Sequence, residues 1–122
     1  MHKCVAVVDD DASVCRSVGR LLRAVGIDSV SYPSAEAFLS RSSHSDFDCL
    51  VLDIQLQGMS GIELCRQLGE SGWRTPVVFI TEYDELEIRE QALLTGCAAF
   101  LRKNEVGRIV VTAIERAMAG GP

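Results

Sequence analysis

Five short apolar runs alternate with five stretches of helical period along this 122-residue chain. Cys4 to Val8 is too brief for a helix and rich in Val, which reads as a buried strand. Asp28 to Tyr32 gives a second strand, and Cys49 to Leu52 a third that ends in Asp53. Val77 to Ile80 is a fourth, ending in Thr81, and Ala98 to Leu101 a fifth with Lys103 just after it. Between the first two, Val14, Val18, Leu21, Leu22 and Val25 recur at helical spacing up to Gly26, a residue suited to the left-handed position past a helix end. Ser34 reads as the N-cap of a short helix through Phe38 and Leu39, followed by a polar loop at 40–46. Ile62, Cys65 and Leu68 mark a third helix stopped between Gly69 and Gly72, and a fourth runs from about Asp84 to Thr95. The last helix carries Val106, Ile109, Val110, Ala113, Ile114 and Ala117 on one side.

Strands that alternate with helices form a parallel sheet covered on both faces, which also explains why these strands lack in/out alternation. Ligands of such sheets gather at the carboxyl ends of the strands, where strand order reverses. In the order 2-1-3-4-5 that point lies between the first and third strands. Asp9 and Asp10 then stand beside Asp53, with Thr81 and Lys103 on the same rim. The expected architecture is a doubly wound (βα)5 sandwich over residues 1–119, with 120–122 as a tail or the start of a linker.

Converging carboxylates cannot all stay ionised without a shared proton or a neutralising cation. With only oxygen donors at hand, Mg²⁺ is the natural choice. Lys103 offers a compact positive charge for a phosphoryl oxygen, Thr81 a hydroxyl of adjustable direction, and Asp53 a carboxylate nucleophile able to form an acyl phosphate. Asp11 fits better as N-cap or first-turn residue of the following helix.

The remaining features exclude more than they assign. A net charge of −5 with scattered cations argues against direct binding to nucleic acid or anionic lipid. No apolar stretch approaches the ~20 residues of a membrane span, and no signal-peptide pattern follows Met1. The expectation is a soluble cytoplasmic protein. Cys4, Cys15, Cys49, Cys65 and Cys97 form no C-x-x-C pair and read as small buried hydrophobes, while His2 and His44 carry no assigned role.

At the rim residues a resemblance becomes plain. The chain resembles the receiver domains of two-component response regulators, and the likeness covers essentially all of it. "VVDDD" is similar to the family's acidic pair, "LVLDIQLQGMSGIEL" to its phosphoacceptor strand and loop, "PVVFIT" to its hydroxyl-bearing strand, and "GCAAFLRK" to its aromatic-then-lysine strand. The loop "GMSG" and the stretch "YPSAEAFL" look most like the branch often fused to a helix-turn-helix output domain, and no such effector is present in these residues. The resemblance implies a flavodoxin-like fold and phosphorylation of Asp53 by a sensor histidine kinase, a phosphotransfer protein or a small phosphodonor. It implies Mg²⁺ held by Asp10, Asp53 and the Gln55 backbone carbonyl, with Asp9 acting through water. Lys103 would pair with Asp53 and then with the phosphoryl group, Thr81 would swing to the phosphoryl oxygen, and Phe100 would turn inward. That motion would reshape the face of the fourth helix, fifth strand and fifth helix, where partners or a second copy dock. A plain core aromatic is the other reading of Phe100.

Three residues depart from the family pattern. Gln57 replaces a proline in the loop after the acceptor strand, and Glu82 replaces a small residue after Thr81, where it reads as a solvated loop residue. Asn104 follows Lys103 where the family has a proline in a cis peptide. A cis bond without proline costs about 3–4 kcal/mol, so the Lys103–Asn104 bond is predicted to be trans. These departures keep open a phosphorylation-independent pseudo-receiver that acts as an interaction module. A turnover phosphatase is disfavoured by Gln55, which cannot protonate a leaving group. A flavin module is disfavoured by carboxylates where a phosphate loop would stand. The expected protein is a phosphoacceptor switch rather than an enzyme, with Gln55 and Tyr83 flanking the path of attacking water and tuning the phosphoryl lifetime.

Overall fold

The computed structural model describes residues 2–41 and 46–120. His44, most of the polar loop and the last two tail residues lie outside them. The elements in chain order are β1 (Cys4–Val8), α1 (Ala12–Ala24), β2 (Asp28–Tyr32), α2 (Ala35–Arg41), β3 (Cys49–Asp53), α3 (Gly61–Glu70), β4 (Val77–Thr81), α4 (Leu86–Leu94), β5 (Ala99–Arg102) and α5 (Val106–Ala119), the last entered through a 3-10 turn at Lys103–Glu105. All strand pairs are parallel, and the sheet order is β2-β1-β3-β4-β5.

The pleat splits each central strand between two cores. Ala6 and Val8 of β1 join Leu50, Leu52, Phe79 and Leu64 on the side of α2, α3 and α4. Val5 and Val7 join Val51, Val78, Ile80, Val18, Leu22 and Ile114 on the side of α1 and α5. The first core is anchored by aromatics, with Tyr32 edge-on to Phe38 at 5.2 Å between ring centres, a pairing worth about 0.5–1.5 kcal/mol beyond area burial. Every residue of β3 and β4 is buried, so the sheet delivers their last residues, Asp53 and Thr81, to the rim from a rigid base.

Local signals act where the sequence placed them. Asp11 caps α1 by accepting from the Ser13 N–H at 2.9 Å, and Ser34 caps α2 by accepting from the Ala37 N–H at 3.0 Å. Gly26 takes φ 81°, the left-handed conformation that ends α1 without the strain a Cβ would bring.

Several boundaries differ from the sequence expectation. α2 runs through Ser40 and Arg41, two residues beyond Leu39. α4 starts at Leu86 rather than near Asp84, and the Asp84 carboxylate instead pairs with Arg89 one turn on. β5 lies one residue later than Ala98–Leu101 and so reaches the residue before Lys103. On α5 the seam is Val106, Val110 and Ile114, whereas Ile109 is 37% exposed because it falls a quarter-turn off that stripe. Cys49 is buried as expected, but the other four cysteines are only half-buried, and all five are free thiols.

Candidate functional site

Parallel pairing of β1 with β3 brings the chain just after Val8 beside the end of β3. Carboxylate oxygens of Asp9, Asp10 and Asp53 there lie within 4.8 Å of one another. Asp9 and Asp53 are almost wholly buried, at 1% and 2% exposure, while Asp10 faces outward. The expected acids therefore converge.

Lys103 reaches into this cluster from the end of β5. Its Nζ stands 3.1 Å from Asp53 Oδ2 and 3.1 Å from Asp9 Oδ2. The other oxygen of each acid is held by backbone: the Asp11 N–H donates to Asp9 Oδ1 at 2.9 Å, and the Gln55 N–H donates to Asp53 Oδ1 at 3.1 Å. Burial and the neighbouring Asp9 charge push the Asp53 carboxyl up to about 6, against the opposing pull of the Gln55 N–H and Lys103. Burial alone would lower Lys103, but the hydrogen bond to Asp9 and the charge of Asp53 outweigh it and raise the ammonium.

One ammonium between two buried carboxylates leaves an excess negative charge. Asp9 Oδ2 is buried and accepts no hydrogen bond, although Lys103 Nζ is close enough to attract it electrostatically. An orphaned buried acceptor is costly, and an all-oxygen donor set with one exposed carboxylate suits a hard divalent cation. The cluster fits such an ion.

Thr81 is fully buried at the end of β4. Its hydroxyl accepts from the Tyr83 N–H at 3.2 Å and has two competing acceptors, Tyr83 O at 3.1 Å and Gln55 Oε1 at 3.3 Å. A hydroxyl has one proton to give, so Thr81 is engaged with its own loop and with the residue two beyond Asp53. Gly61 closes the floor behind Asp53, where an added Cβ would collide with the Asp53 carbonyl oxygen. No peptide bond among the described residues is cis, so the Lys103–Asn104 bond is trans, and Lys103 still points onto the rim.

The family model described as the response regulator receiver domain matches residues 5–115. The chain belongs to that family. Curated relatives include the transcriptional regulatory protein TdiR of Thauera aromatica, 34% identical over 94% of this chain and 51% of its own length. Nodulation protein W of Bradyrhizobium diazoefficiens is 35% identical over 92% of this chain and likewise 51% of its own length. This receiver domain thus spans about half the length of those relatives. Among solved structures, FixJ-N is similar at a TM-score of 0.86 and 31% identity, covering 100% of this chain and 98% of that one. The response regulator StyR is similar at a TM-score of 0.89 and 35% identity, covering 98% and 60%.

Two features of this receiver domain escaped the sequence. The Gln55 side chain, expected to matter through its carbonyl or beside the water path, is itself an acceptor for the buried Thr81 hydroxyl. Arg89 of α4 places its guanidinium 5.3 Å above the centre of the half-buried Phe100 ring while holding Asp84 at 3.1 Å and 3.2 Å. A lone Arg on a polar helix face gives no sequence signal of such a contact. Glu82 is exposed, as its reading as a loop residue required.

Proposed function

We propose that this receiver domain is a phosphorylation-controlled switch in which Asp53 accepts a phosphoryl group from a sensor histidine kinase or a phosphotransfer protein. The observation that carries the reading is the buried Asp9–Asp53 pair bridged by one Lys103 ammonium, with an acceptor left over. A carboxylate oxygen of Asp53 attacks phosphorus, the bond to the donor histidine nitrogen breaks, and the imidazole leaves with the electron pair. Mg²⁺, held by Asp10, Asp53 and the Gln55 carbonyl with Asp9 in support, would neutralise the transferring phosphoryl oxygens. Lys103 then exchanges its contact with the Asp53 carboxylate for one with the phosphoryl group.

The new group adds up to about two negative charges and three acceptor oxygens. Thr81 answers them by giving up Gln55 Oε1 and Tyr83 O. Its departure leaves space toward which Phe100 turns, out from under Arg89. The readout face is α4, β5 and α5, where Leu86 and Leu93 are 72% and 57% exposed, an apolar surface suited to a partner or a second copy. The domain is a switch and not a turnover enzyme, acts in the cytoplasm, and contacts neither nucleic acid nor membrane itself; among the described residues no helix is long and apolar enough to cross a membrane. Relatives described as transcriptional regulators support a role as the input of a transcription regulator.

Titration with beryllofluoride and Mg²⁺, followed by amide NMR, tests this reading. Saturable shifts at Asp53, Thr81 and Phe100 are expected, absent in Asp53→Asn. No shift in the wild-type protein favours an interaction module that works without phosphorylation.

A further inference from the structure

A groove of about 960 Å³ lies at the opposite end of the sheet from the acid cluster, where β4 and β5 begin. Leu68 and Trp73 at the end of α3 form one wall, and Ala113 and Ala117 of α5 another. Two exposed arginines, Arg74 and Arg116, are among its lining residues, and no acidic residue is among the described ones. Neither arginine forms an ion pair with a described residue. In a chain of net charge −5, a groove with two cations and no anion among its described lining residues is a local reversal of sign.

Small-molecule sites have volumes of about 300–1,000 Å³, mostly apolar walls and a few charged groups that fix orientation. We propose that this groove binds a small amphipathic carboxylate, its apolar body against Trp73 and the α5 alanines and its carboxylate between Arg74 and Arg116. Arginine is suited to this because its planar fork pairs with a carboxylate through two parallel N–H bonds. Thr75 and Thr112 also line the groove. The volume favours a small molecule over a protein segment. The site stands apart from Asp53 and does not rest on its phosphorylation.

Trp73 is the sole tryptophan of the chain and packs on Phe38 with 5.5 Å between ring centres, so its fluorescence reports directly on the groove. The experiment titrates the unphosphorylated protein with octanoate below its micelle concentration, with octanol as the uncharged control. The expected result is a saturable change in Trp73 emission with half-saturation below about 1 mM, weakened tenfold or more in the Arg74→Gln/Arg116→Gln double variant and not reproduced by octanol. Thr112→Phe, which obstructs the groove from an exposed helix position and leaves both cations in place, should also abolish the change. The proposal is overturned by no saturable change, by an equal response in the double variant, or by an equal response to octanol. A change seen only above the micelle concentration would point to a lipid surface, and one given by an acidic peptide but not by octanoate to a protein partner; either also overturns it.

Discussion

Replacing Asp53 by Asn should make the metal-free protein more stable, although the substitution removes one member of an ion-paired cluster. Burial and the Asp9 charge raise the Asp53 carboxyl from its ordinary 3.8 to about 6. Below pH 3.8 the folded and unfolded chains both hold the proton and the group contributes nothing. As pH rises from there to about 6, the unfolded chain loses the proton first, so stability falls. Above that window the cost is constant at a ceiling of about 3 kcal/mol, from roughly 1.4 kcal/mol for each pH unit. Asn keeps the shape and an oxygen for Lys103 and carries no charge, but its amide nitrogen cannot accept from the Gln55 N–H, a loss of about 1 kcal/mol, so a gain of about 1–2 kcal/mol is expected at pH 7.5 in EDTA. For a chain of this size that is a rise in Tm of about 4 °C for each kcal/mol. Thermal unfolding of both proteins from pH 4 to pH 8 in EDTA is the assay. The advantage of the variant should shrink toward zero as pH falls from 6 to 4. Equal or lower stability of the variant at pH 7.5, or an advantage unchanged at pH 4, would refute the electrostatic reasoning.

The remaining expectations concern the parts around that carboxylate. Magnesium at ten times its dissociation constant should stabilise the wild-type protein by about 1.4 kcal/mol, and Asp53→Asn should lose most of that gain in the same melts. Arg89→Ala removes the cation above Phe100, a contact worth about 0.5–1 kcal/mol at an exposed site; urea unfolding should show a loss of that order, and acetyl phosphate should phosphorylate the variant faster because Phe100 is freer to turn. Gly61→Ala drives a methyl group into the Asp53 carbonyl, so chemical denaturation should show about 1–3 kcal/mol of destabilisation. Tyr83→Ala should shorten the phosphoryl lifetime by opening the path to water, and an unchanged decay rate would dismiss that role.

The centre of the sheet was legible because β1, β3 and β4 are buried on both faces, whereas the edge strand β2 is largely exposed. Val5 to Val8 and Val77 to Ile80 are continuous apolar runs with no alternative use in a chain of this length, and Gly26 and Ser34 punctuate them with turn and cap chemistry that operates locally. The acid cluster followed from topology, since strand order alone sets Asp9 and Asp10 beside Asp53. What escaped depends on side-chain direction over long sequence separations. Lys103 and Asp9 are 94 positions apart, and no pattern states which carboxylate oxygen the ammonium leaves without a hydrogen bond. Gln55 meeting Thr81, and Arg89 covering Phe100, are choices of rotamer made after the backbone is in place. Ile109 was misjudged for a simpler reason: it lies at the edge of the apolar side of α5, and the packing buries only the centre of that side, Val106, Val110 and Ile114.

The central claim is that Asp53 is the phosphoacceptor of a magnesium-dependent site. Incubation with acetyl phosphate followed by intact-protein mass measurement and peptide mapping tests it most directly. The account predicts one phosphoryl group per chain, located on Asp53, requiring Mg²⁺ and absent from Asp53→Asn. Uptake that persists in Asp53→Asn or in excess EDTA, or no uptake by the folded wild-type protein, would contradict it.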